Sequence, residues 1–127
     1  MKMTGFSLLL VAVLTAVPDA SAHHSIAAEF DSTKWAAFLG TITKIEWTNP
    51  HAFVYVDVKD PKTGVTLNWV CELPSPKALA AHGWTTDALK VGMTVNVRGM
   101  LARDGARKLN ARTVAVNGGN VLCTGSC

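Results

Sequence analysis

The chain predicts an all-β domain with one short helix, built as a five-stranded OB-like barrel, with an open β-sandwich or roll as the alternative. Three observations lead there. Segments 39–47, 52–58, 65–73, 93–100 and 109–116 carry strand-forming residues, and 52–58 and 93–100 alternate in polarity. Turn signals separate them: Thr48-Asn49-Pro50, Asp60-Pro61-Lys62-Thr63-Gly64 and Arg103-Asp104-Gly105. A single helical segment falls between the third and fourth strands. Three strands, a helix and two strands is the element order of that barrel.

The elements follow in order. Lys2 and the apolar run Phe6 to Val17 lead to Ala20-Ser21-Ala22, which has the pattern of a signal peptide cleaved after residue 22. The run is shorter than the ~20 apolar residues of a membrane span, so no stable anchor is expected once it is removed. Residues 23–34 have no sustained period and read as an extended surface arm ahead of a barrel domain over 35–117. Leu39 to Trp47 is the first strand, with Gly40 at a bulge or bend. In the second strand, Ala52 to Val58, Val54, Val56 and Val58 share one face, and His51, Phe53, Tyr55 and Asp57 the other. The third, Val65 to Leu73, sends Leu67, Trp69 and Cys71 one way and Asn68, Val70 and Glu72 the other. Pro74-Ser75-Pro76 opens a helix over Lys77–His82, which Gly83 stops, and Thr85-Thr86-Asp87 caps one further turn. Met93–Met100 and Leu109–Val116 are the last two strands, and residues 118–127 are a tail whose removal should leave the domain folded.

A formal charge of +3 is mildly basic. The densest basic group, Arg98, Arg103, Arg107, Lys108 and Arg112, is interrupted by Asp104 and reads as a solvated face, so no nucleic-acid partner is expected. Export places Cys71, Cys123 and Cys127 in an oxidising compartment, periplasmic or secreted. Three pairings are open. The short Thr-Gly-Ser spacer favours Cys123–Cys127, leaving Cys71 as a small hydrophobe in a strand.

His23-His24-Ser25, Gly40-Thr41, Glu46-Trp47-Thr48-Asn49-Pro50-His51, Trp69, Glu72, Gly83-Trp84 and Leu89-Lys90-x-Gly92 together resemble a bacterial exported family, the domain of unknown function numbered 6152. The resemblance spans nearly all of residues 23–117, with Trp47-Thr48-Asn49-Pro50-His51 its most specific string. Val91 stands where that family commonly has Pro, and the tail with Cys123 and Cys127 lies outside its pattern. It implies export and an OB-like fold, and no activity.

No Gly-x-Ser-x-Gly, His-Glu-x-x-His or phosphate loop occurs, and no catalytic residue is assigned. The chemistry concentrates at the new amino terminus. Cleavage after Ala22 frees the α-amine of His23, which closes a chelate ring with its own Nδ1. A second imidazole completes a three-nitrogen histidine brace, an arrangement suited to Cu(II). His51 is the candidate for that imidazole, His24 a substitute, and Glu72 an axial oxygen or outer partner. The expected cofactor is copper, and the expected partner a periplasmic metal donor or acceptor protein. The competing reading is a metal-independent ligand or protein-interaction module using an aromatic face of Trp47, Phe53 and Tyr55, although core packing is the commoner fate of aromatics. His82, at the end of the helix, reads as a helix-end residue.

Overall fold

A computed structural model describes residues 25–127. The apolar leader, its cleavage site, His23 and His24 lie outside the described residues. The elements are α1 (Ile26–Glu29), β1 (Phe30–Glu46), β2 (Ala52–Lys59), β3 (Thr66–Leu73), α2 (Pro76–Ala81), β4 (Thr94–Ala102), β5 (Lys108–Val116) and β6 (Val121–Cys123). Among the described residues no helix is long and apolar enough to cross a membrane.

The fold is all-β. Antiparallel pairing runs β3-β2-β1-β4-β5-β6, and a parallel pairing of β3 with β5 joins the two sides of the sheet. That pairing matches Val70 with Lys108, Cys71 with Leu109 and Glu72 with Asn110. Five strands therefore form a ring in the order β1-β2-β3-β5-β4, the OB-like arrangement, and closure removes most exposed sheet edge. Alternation places the core as expected: Val54, Val56, Val95, Val97 and Val114 are all buried inside. Ser75 starts α2 by accepting the Ala78 amide on Oγ at 3.2 Å, with Pro76 in the first turn. Leu79 of that helix joins Trp84 and Leu89 in the same core.

The ring bends where glycine lets strands touch. A Cβ on Gly40 would stand 2.5 Å from Asp57 O, and the β1–β2 register shifts just beyond it, between Ile42 and Lys44. Gly99 is tighter: a Cβ there would lie 2.2 Å from Asn110 O, where the β4–β5 register also shifts. The obstacle is neighbouring backbone, which cannot rotate away. Gly99→Ala should therefore lose about 1–3 kcal/mol in urea denaturation. Gly125→Ala, which meets nothing, should stay within about 0.5 kcal/mol of wild type. Equal stabilities for the two variants would contradict the packing described.

Two segments differ from the sequence reading. The stretch read as an extended arm contains α1 and the start of β1, and Phe30 is only 1% exposed. Phe30 pairs with Ala102 and Asp31 with Leu101, after which the register slips until Trp35. Asp31 Oδ1 accepts the Thr33 amide at 3.0 Å and the Thr33 hydroxyl at 2.6 Å, which holds the slip in place. These two hydrogen bonds also hold the Asp31 carboxyl below its ordinary pKa.

The tail is likewise built in. Strand β6 pairs Thr113 with Cys123, Val114 with Leu122 and Ala115 with Val121. Trp84 Nε1 donates to Cys123 O at 2.9 Å, and Thr124 Oγ1 to Ala111 O at 2.9 Å. The disulfide is Cys123–Cys127, with Cα atoms 5.6 Å apart, and Cys71 is free and buried. Burial pushes the Cys71 thiol up to about 12, which keeps it protonated and unreactive.

Candidate functional site

Strand β5 changes partners along its length. Residues 108–110 face β3, and residues 113–115 face β6. At the seam between the two lies a cavity of about 180 Å³. Its walls include Pro50 and His51 before β2, Ser75 after β3, Asn110 and Arg112 from β5, and Thr124 after β6. Ile26 of α1 borders the same space.

His51 is held from two sides. Thr48 Oγ1 donates to the His51 carbonyl at 2.7 Å, closing the turn that carries it. Its ring Nδ1 lies 3.1 Å from Glu72 Oε1. The β2–β3 register makes this contact possible, because Phe53 pairs with Glu72 and puts that carboxylate beside the start of β2. The Glu72 side chain is 4% exposed and needs compensation, which Lys108 supplies: Nζ lies 2.7 Å from Oε2. Lys108 also reaches Glu29 Oε2 at 3.4 Å and stands 5.2 Å from the Phe30 ring and 5.9 Å from that of Phe53. Burial alone would lower the Lys108 pKa, but the hydrogen bond and charge of Glu72, with Glu29, outweigh it and raise the value.

The chemical consequence concerns the imidazole. An imidazole whose Nδ1 faces a carboxylate is held in one orientation and turns Nε2 toward any ligand. His51 and Glu72, both expected at the site, are thus brought together, with Glu72 in the position of an outer partner. Among the described residues no group of three or more His, Cys, Asp or Glu is placed to hold a metal ion. His23 and His24, the other expected ligands, are outside those residues.

The three aromatics separate. Phe53 and Tyr55 are half-buried on the outer face of β2, whereas Trp47 packs against the core and borders a small space with Pro76, Leu79 and Trp84. Tyr55 Oη donates to Glu46 Oε2 at 3.1 Å, and Lys44 stands 5.1 Å from its ring. Burial and the Glu46 bond raise the Tyr55 pKa, so the phenol stays protonated; Lys44, then Tyr55, hold Glu46 below its ordinary range. His82 is the C-cap residue of α2 and is exposed, as its position suggested. Lys108, Asn110, Arg112 and Thr124 were not singled out by sequence. Lys108 and Arg112 belong to the basic group read as solvated, and nothing local distinguishes them from Arg98, which stacks 4.5 Å over Trp35.

Fold and seam together define a small OB-like domain with a histidine–carboxylate–ammonium chain at its rim. The chain belongs to the family of unknown function DUF6152, whose profile matches residues 11–111. The match ends before Arg112, so β6 and the disulfide lie beyond it. No curated protein and no solved structure matches the chain.

Proposed function

We propose that this is a periplasmic or secreted copper-binding protein that, once cleaved after Ala22, captures Cu(II) with the His23 amine, the His23 imidazole and His51 Nε2. The observation that carries the reading is the 3.1 Å contact of His51 Nδ1 with Glu72, on a residue lining the seam cavity, which leaves Nε2 as the ring nitrogen for a metal. Ile26 borders that cavity, and His23 lies three positions earlier, within the ~10 Å that three extended residues span. His24 is the substitute ligand. Glu72, committed to His51 and Lys108, acts by orienting the His51 ring. A protein of this kind would exchange copper with a donor or acceptor partner in the same compartment.

Exported protein, its start checked by intact mass, should bind one Cu(II) with a tetragonal, nitrogen-rich EPR spectrum. One residue inserted between Ala22 and His23, and retained after cleavage, converts the amine to an amide and should weaken binding by roughly a hundredfold while keeping every side chain. Glu72→Gln should weaken it by about 10–100-fold. Equal copper affinity in the inserted and native forms would rule the brace out.

A further inference from the structure

We propose that the seam cavity is also a binding site for a short aliphatic monocarboxylate, received by Arg112 and Asn110. Asn110 is 6% exposed, lines the cavity, and has a side-chain amide with no hydrogen-bond partner among the described residues. No fully buried polar side-chain atom among the described residues lacks a partner, so this amide is reached from the cavity itself. An amide that opens onto a cavity in this way can exchange solvent for a ligand that accepts from it.

Arg112 differs from Lys108 and from the other arginines in the same way. Lys108 is paired with Glu72 and Glu29, Arg103 Nε donates to Ala27 O at 2.9 Å, Arg107 Nε to Asn68 O at 3.3 Å, and Arg98 covers Trp35. The Arg112 guanidinium has no side-chain partner among the described residues, and it lies two positions along β5 from Asn110, on the same side of the strand. Both therefore face the space where β5 exchanges β3 for β6. Ser75 Oγ accepts the Ala78 amide, which leaves its hydroxyl hydrogen to donate. The Thr124 hydroxyl is already spent on Ala111 O.

This donor set selects a chemical class. A guanidinium fork binds a planar carboxylate through two parallel hydrogen bonds, and the Asn110 amide adds a third donor beside it. One guanidinium balances one negative charge. A dianion such as phosphate would add a second close to the Glu72 carboxylate behind His51. Ile26, Pro50 and Leu73 make the remaining wall apolar, which fits a short alkyl stub. The cavity of about 180 Å³ is well below the ~300 Å³ at which pockets for larger ligands begin.

None of this requires the metal, so the test is run without it. Exported protein carrying the residue inserted before His23, kept in EDTA, is titrated with acetate, propionate and phosphate and followed by amide chemical shifts. Propionate should give saturable shifts centred on Asn110, Arg112 and Thr124, with acetate weaker and phosphate weaker still. Arg112→Gln, a change at an exposed position, should keep the spectrum of a folded protein and weaken propionate binding at least about tenfold, with Arg112→Lys in between. Absence of saturable propionate shifts, an Arg112→Gln protein that binds as wild type does, or phosphate binding as tight as propionate would each overturn the proposal. Failure of the copper experiment would leave it standing.

Discussion

Ending the chain at Asn117 should lower the free energy of unfolding by about 3–5 kcal/mol, in contrast to the dispensable tail that the sequence suggested. Truncation removes β6 and with it the pairing to residues 113–115, so half of β5 becomes an open sheet edge. Trp84, buried in the core, loses the carbonyl of Cys123 that accepts its indole N–H. Leaving that donor unpaired accounts for about 1–3 kcal/mol of the loss, and exposure of the apolar surface beneath β6 for the remainder. Urea melts of the full and truncated proteins measure the difference. Cys127→Ser should cost less than truncation, because the disulfide closes only a small loop and β6 can stay docked without it. A truncated protein within about 1 kcal/mol of the full chain would show that β6 carries little of the stability assigned to it here.

Lys108→Met should be the most damaging single exchange in the rim, at about 2–4 kcal/mol. It strands the Glu72 carboxylate, 4% exposed, with only His51 beside it. The figure lies below that for a fully buried pair because the Lys108 side chain is 31% exposed. Glu72→Gln introduced with Lys108→Met removes the stranded charge and should recover much of the loss. If the double variant is no more stable than Lys108→Met, the charge relation is not the cause. The pH dependence has a definite sign. The folded-state pKa of Lys108 is raised, so its contribution is complete below the ordinary lysine value of 10.5 and is lost only as pH rises through the higher folded value. The wild type minus Lys108→Met difference should therefore hold across neutral pH and shrink at strongly alkaline pH.

What could be read from the chain divides by distance. The alternation of Ala52–Val58 identified the buried face of β2, and Asp60–Gly64 identified a loop in which Asp60 Oδ1 accepts the Lys62 and Thr63 amides. Pro76 behind Ser75 marked the helix start. These signals are local. The start of β1 was hidden because the slip held by Asp31 and Thr33 breaks the two-residue period. Strand β6 was hidden because three residues between Asn-Gly-Gly-Asn and a Thr-Gly-Ser spacer carry too little pattern. At the site, the sequence marks His51 as a ligand and Glu72 as its axial or outer partner. Lys108, Asn110 and Arg112 acquire meaning only from the parallel register of β5 on β3, which joins segments far apart in the chain and leaves no trace in either one.

The same pairing dictates the order in which the molecule can assemble. Val70 meets Lys108 to close the ring, and Phe30 waits for Ala102. A chain that emerges amino terminus first therefore displays β1, β2 and β3 as an open meander, with the far edge of β1 unpaired until β4 arrives. Nearly every closing contact is long-range, and each must meet its loop-closure entropy before it returns any stability. Ring closure therefore waits for the last third of the sequence, which supplies β4 and β5, and until then the meander keeps unsealed edges.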